Sequence, residues 1–146
     1  MEVIMPKIMK KLNSISRCQA TYRNAKFSSD GICASHHAFI LIISKNPGYS
    51  QEDITREICL NKSTVARTLN HLENHGYITR TANPEDKRQF LVYPTEKMLG
   101  ILPDVRAVSG EWNNRITEGI PENELEIFHS VLNRIEEKSK QIIREL

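Results

Sequence analysis

The stretch NKSTVARTLNHLENHG, residues 61–76, decides how the rest of the chain is read. At helical period it carries two stripes. Val65, Leu69 and Leu72 stand at i, i+4 and i+7, the line of a core-facing helix. Thr64, Arg67, Thr68 and His71 stand at i, i+3, i+4 and i+7 on a different face, which bears hydrogen-bonding groups and no carboxylate. Asn61 is a favoured N-cap residue, and Gly76 sits where a glycine closes a helix. A short helix of this kind can rest one face on a domain and offer the other to a polyanion.

Upstream, Ser50 and Asp53 form a capping-box pattern, and Ile54 and Ile58 make the segment that follows amphipathic. "CLN" joins the two segments, giving a helix-turn-helix. Downstream the period changes from 3.6 to 2. "YITRTA" and "FLVYP" are β-prone, and "NPEDKRQ" between them predicts a hairpin with a charged tip. Two helices followed by such a hairpin predict a winged helix-turn-helix. Its second helix would pack Val65, Leu69 and Leu72 on the domain and lay the polar stripe in a major groove. Serine and threonine hydroxyls there meet base edges and phosphates, and arginine reads guanine O6 and N7 together. Glu73, which phosphate would repel, falls away from the stripe.

The flanks are helical. Ile4, Ile8, Leu12, Ile15 and Tyr22 line the first segment, and "SSDG" at 28–31 turns the chain. "ASHHAFILIISKN" is apolar nearly all round from Ala38 to Ile43, which predicts a buried helix ended by "NPG" at 46–48. Thr95 caps a long helix through Met98, Leu99, Leu102, Val105 and Trp112, which Pro103 is expected to bend or split near Leu99. Pro121, with Glu122 and Glu124 beside the positive dipole end, starts the last helix. In that helix Leu125, Phe128, Leu132, Ile135, Ser139, Ile142 and Leu146 are spaced 3-4-3-4-3-4, the seam of a helix packed along its length. The fold class is therefore mainly α (α+β).

Composition bounds the function. A chain of 146 residues suits one domain, since roughly 100–200 residues per domain is usual. Apolar residues at 39% and charged residues at 26% describe a globular protein. "MEVIMPKIMKKLNSISR" mixes lysine with isoleucine and resembles no signal peptide, and no run of 18 apolar residues exists to cross a membrane. Cys18, Cys33 and Cys59 are three and scattered, which fits a reducing cytoplasm rather than a disulfide framework. Residues 1–28 carry six basic and one acidic side chain, a balance of +5; residues 111–146 carry five basic and eight acidic, a balance of −3. The middle balances at zero, so positive charge for a nucleic acid must be placed locally.

With these residues in hand, "PGYSQEDITREICLNKSTVARTLNHLENHGYITRTANPEDKRQFLVYPTEK" resembles the MarR (multiple antibiotic resistance regulator) family. The specific elements are Ser50-Gln51, "NKSTVAR", Leu72-Glu73, Gly76-Tyr77-Ile78, the Asp86-Lys87-Arg88 tip and Pro94-Thr95. The family often has aspartate where this chain has Asn61; both cap helices. The resemblance implies one MarR-type domain over 1–146, with a winged helix-turn-helix at 48–95 and dimerisation helices at 1–30 and 118–146. It implies a cytoplasmic homodimer that binds the double-stranded DNA of a pseudo-palindromic operator, usually as a repressor released by a small effector. On that resemblance Thr64, Arg67, Thr68 and His71, with Ser63 nearby, read the groove. Lys62 and Ser50 at helix starts hold phosphate. Arg88 enters the minor groove, Asp86 orients it, and Lys87 sits at the tip. Tyr22, His36, His37 and Trp112 are the candidates for an effector pocket, suited to a small aromatic or anionic molecule.

Other chemistries find less support. Cys33, His36 and His37 are spaced like partial metal ligands, with His129 or Glu111 to complete a site, but no CxxC accompanies them. The i, i+4 pair His71 and His75 lies on the recognition helix, so no metal or cofactor is expected. Cys18 and Tyr22 stand one turn apart, as in peroxide-sensing relatives, and Arg17 could lower the thiol pKa. Neither G-x-S-x-G nor a P-loop occurs, so an enzyme is not expected. A helical adaptor without DNA binding would have no need of Asp86-Lys87-Arg88 on a hairpin.

Overall fold

The computed structural model describes residues 5–146, so Ile4 lies outside the described residues. In chain order these form α1 (Met5–Lys26), a 3-10 turn (Ala34–His36), α2 (His37–Lys45), β1 (Tyr49–Ser50), α3 (Gln51–Ile58), α4 (Lys62–Asn74), β2 (Ile78–Ala82), β3 (Phe90–Pro94), α5 (Glu96–Thr117) and α6 (Glu122–Arg144). The chain divides into two compact units, Met1–Trp112 and Asn113–Leu146.

Local chemistry starts and stops the central helices. Ser50 Oγ accepts the Asp53 amide at 3.1 Å, and the Asp53 carboxylate accepts the Ser50 amide at 3.0 Å, a complete capping box on α3. Asn61 Oδ1 accepts the Thr64 amide at 2.8 Å and caps α4. At the other end, Gly76 takes φ +78. The Tyr77 amide then reaches the Leu72 carbonyl at 2.9 Å and the Gly76 amide the Glu73 carbonyl at 3.0 Å. These are the paired bonds of a Schellman motif. It turns the chain from α4 straight into β2.

The first unit is built around α2. His37, Phe39, Ile40 and Ile43 of this helix are buried, with Leu41 and Ile42 packed partly against the same core. Around it lie Ile54 of α3, Val65, Leu69 and Leu72 of α4, Ile78 and Val92 of the sheet, and Met98, Leu102 and Val105 of α5. Leu69 is fully enclosed, so Leu69→Ala should cost about 2–5 kcal/mol. That packing turns the opposite side of α4 outward.

Two features depart from the sequence expectations. The hairpin β2–β3 gains a third strand: Tyr49 pairs with Val92 and Ser50 with Leu91, in the order β1-β3-β2. A two-residue strand is too short to show a period. Pro103, expected to split the helix near Leu99, lies inside a continuous α5. The proline removes one amide, leaving the Leu99 carbonyl without its helical donor. Leu99 is exposed, so water can serve that carbonyl, while buried Met98, Leu102 and Val105 hold the helix on the core.

The second unit centres on α6. Pro121 stands just before it with extended ψ, and Glu122 and Glu124 occupy the first turn. No residue of α6 is buried.

Candidate nucleic-acid interface

The side of α4 away from the core carries donors in an ordered arrangement. Asn61 Oδ1 accepts the Ser63 hydroxyl at 2.8 Å as well as the Thr64 amide. Arg67 Nη2 donates to Thr64 Oγ1 at 3.3 Å, so threonine and arginine present themselves together. Lys62, Ser63 and Arg67 are exposed, Thr64 and Thr68 half-buried. The first turn of α4 holds no acidic residue, leaving its positive end open to an anion.

The wing lies beside this helix start. The Asp86 carboxylate accepts the Arg88 amide at 3.1 Å and its Nε at 3.3 Å, which fixes the tip as a small turn. Lys87 and Arg88 are exposed. Gln89 Nε2 donates to Glu52 at 3.2 Å, tying the base of the wing to α3. Between wing and helices opens a cleft of about 630 Å³, whose walls include Ser50, Thr55, Arg56, Lys62 and Arg88. Three cations around a groove of that size are suited to a phosphate backbone.

Two sequence-predicted contacts sit differently. His71 is turned inward: its Nε2 lies 2.5 Å from the Gly31 carbonyl, and its ring stacks 4.7 Å from His36 and 4.2 Å from His75. The loop before α2 stands opposite that part of α4 and takes up the side chain. Ser50 lines the cleft but is buried, and its hydroxyl serves the α3 cap rather than a free phosphate site.

The four candidate effector residues do not form one group. Tyr22 and Trp112 pair with ring centroids 5.3 Å apart. His37 is buried edge-on to Phe27 with Nδ1 unpartnered, and burial, with Arg23 and His36 nearby, holds its pKa down to about 4. Arg23 reaches Ser109 Oγ at 3.5 Å, and burial lowers its pKa too. His36 faces the other way, toward His71. Its pKa is lowered by burial and then by His71 and His75. Cys18, Cys33 and Cys59 are exposed free thiols. Among the described residues, no group of three or more His, Cys, Asp or Glu has metal-holding geometry.

Sequence reasoning missed Arg80 and Asn70. From β2, Arg80 forks onto the Glu73 carboxylate at 3.0 and 3.2 Å and donates to Asn70 Oδ1 at 2.6 Å. The hydrogen bond from Arg80 holds the Glu73 carboxyl below its usual range. Asn70 follows Arg67 by three residues on the outward side, a spacing that was available as a signal. Nothing in the spacing pointed to Arg80.

The same region is the one that comparisons with known proteins match. The MarR family model covers residues 34–90, from α2 to the start of β3. The whole chain superposes on a crystal structure of MarR with a TM-score of 0.84 and 25% identity, covering 100% of this chain and 99% of the other. The chain belongs to the MarR family. A curated relative, the HTH-type transcriptional regulator BilQ of Clostridioides difficile, is 31% identical over 86 residues, 59% of this chain and 58% of its own length. A MarR-family transcriptional regulator of Listeria monocytogenes, solved in complex with 26mer DNA, superposes with a TM-score of 0.86 at 22% identity, covering 92% of this chain and 89% of that one. Within this MarR-family chain, no helix among the described residues is long and apolar enough to cross a membrane.

Proposed function

We infer that this MarR-family chain is a cytoplasmic homodimeric repressor that binds a pseudo-palindromic operator. The observation that carries the reading is the carboxylate-free donor face of α4 beside a wing whose Arg88 shares a cleft with Lys62 and Arg56. Ser63, Thr64, Arg67 and Thr68 read the major groove. Lys62 and Lys87 hold backbone, and Arg88, oriented by Asp86, enters the minor groove. The DNA complex of the Listeria neighbour supports this placement by likeness of fold.

Two such helices must be spaced by a dimer. The support is α6, where Phe128, Ile135 and Ile142 of the seam remain exposed, as do Ile127 and Ile143 beside it. The opposite charge balances of residues 1–28 and 111–146 favour the pairing of terminal helices, 1–30 with 118–146, across two copies. A small aromatic anion is the effector class that suits Tyr22, Trp112 and the buried cation Arg23. On this reading the protein binds and releases DNA and catalyses nothing.

The test measures affinity for a selected operator and a random duplex at several salt concentrations. Wild type should prefer the operator, with log K falling linearly against log salt. Arg67→Ala should weaken the best site by about 1–3 kcal/mol and flatten discrimination between sites. Absence of salt-dependent binding to any duplex rejects the reading.

A further inference from the structure

We propose that Asn70 reads the operator solely as a hydrogen-bond donor, because Arg80 holds its amide oxygen, and that this sets one base preference in each half-site. The inference rests on the DNA-binding reading above and makes it more specific.

Arginine has only donors, so the Asn70 atom 2.6 Å from Arg80 Nη2 is the oxygen. That assignment follows from chemistry and leaves no freedom to flip the amide. Arg80 is itself held. It forks onto Glu73 at 3.0 and 3.2 Å, its side chain is 19% exposed, and its guanidinium lies 6.0 Å from the Phe90 ring centroid. Asn70 is exposed, and its amide nitrogen has no partner among the described residues. At i+3 from Arg67, it stands on the side of α4 that Val65, Leu69 and Leu72 leave outward.

A free asparagine can turn both ends of its amide to adenine, accepting from N6 and donating to N7. With its oxygen occupied, Asn70 offers N–H alone. It then favours edges made of acceptors, guanine N7 and O6 or thymine O4. Adenine offers it one acceptor beside an unmet donor, and cytosine offers only the N4 donor. Arg80 acts here as a positioning residue. It touches no base, and it converts a bidentate adenine reader into an acceptor reader. Because its charge is already neutralised by Glu73, it does this without adding to phosphate affinity.

The experiment selects binding sites from a randomised duplex pool with wild type, Asn70→Asp and Arg80→Met, and confirms folding of each by thermal unfolding. Asn70→Asp keeps an acceptor for Arg80 and removes the donor. One position in each half-site should lose its preference for guanine or thymine, and the best wild-type site should weaken by about tenfold. Arg80→Met frees the amide oxygen, so the same position should gain adenine. The uniform loss expected from an unpaired Glu73 leaves base order unchanged, which separates positioning from mere stability. If Asn70→Asp and wild type select the same bases everywhere, the inference is overturned while the DNA-binding reading stands. If wild type selects no sequence and binds no duplex, the DNA-binding reading falls and takes this inference with it.

Discussion

Arg88 Nε donates to Asp86 Oδ1 at 3.3 Å while 92% of the arginine side chain remains exposed. The aspartate orients the arginine without covering it. Such an arrangement adds little to folding, because a solvated ion pair is screened. It does pre-set the direction of a charge. Arg88→Ala should therefore leave the unfolding temperature near wild type and weaken operator and random duplex alike, lowering the salt slope by about one per subunit. Asp86→Ala should do the same more weakly, since the charge stays and its orientation is lost. Titration of both duplexes at several salt concentrations checks this, and unchanged binding by Arg88→Ala removes the wing from the interface.

His71 should behave as a structural residue despite its place on α4. Its ring is stacked between His36 and His75, and its Nε2 meets the Gly31 carbonyl. His71→Ala should cost about 1–2 kcal/mol in urea unfolding, the usual worth of a lost hydrogen bond plus packing. It should not change which bases are selected. Gly31→Ala should be at least as damaging: the residue sits at φ +70, and an added Cβ would stand 2.4 Å from the His75 ring. A changed base preference in His71→Ala would return that side chain to the groove.

His37 makes stability depend on pH. Its folded pKa of about 4 lies below the ordinary value of 6.5, chiefly because the ring is buried, with Arg23 and His36 adding to the effect. As pH falls below about 6.5 the unfolded chain takes up the proton and the folded chain resists it. Stability is therefore lost between about pH 6.5 and pH 4, by up to about 3 kcal/mol at 1.4 kcal/mol per pKa unit. Above pH 7 the group contributes no slope. His36, shifted in the same direction, adds to the loss. Urea midpoints at pH 7.5 and 4.5 should differ less for His37→Gln than for wild type; equal differences would show that His37 titrates normally.

The α6 seam should fail when charged. Ile135 is 36% exposed and Leu132 half-buried in the single chain, so arginine at either site is tolerable there and intolerable between two helices. Sedimentation at micromolar concentration should show wild type as a dimer and Leu132→Arg as monomer or aggregate. A folded wild-type monomer would reject the dimer and with it the spacing of two recognition helices.

What the sequence determined by itself is what short range decides. The caps at Ser50 and Asn61 and the Gly76 stop formed as expected, because each partner lies within a few residues along the chain. The change from period 3.6 to period 2 located α4 and the wing, because burial on one face repeats at the spacing of the element itself. Tertiary structure decided where side chains went once those elements met. His71 is spaced like a groove reader but finds Gly31 opposite, 40 residues earlier. Asn70 is an unremarkable polar position until Arg80 arrives from β2 and takes its oxygen. The strand β1 exists because Val92 and Leu91 offer it an edge, and α5 continues through Pro103 because the core on one side holds it. Periodicity reports which face a residue shares; what stands across from that face depends on packing between elements, which no local spacing encodes.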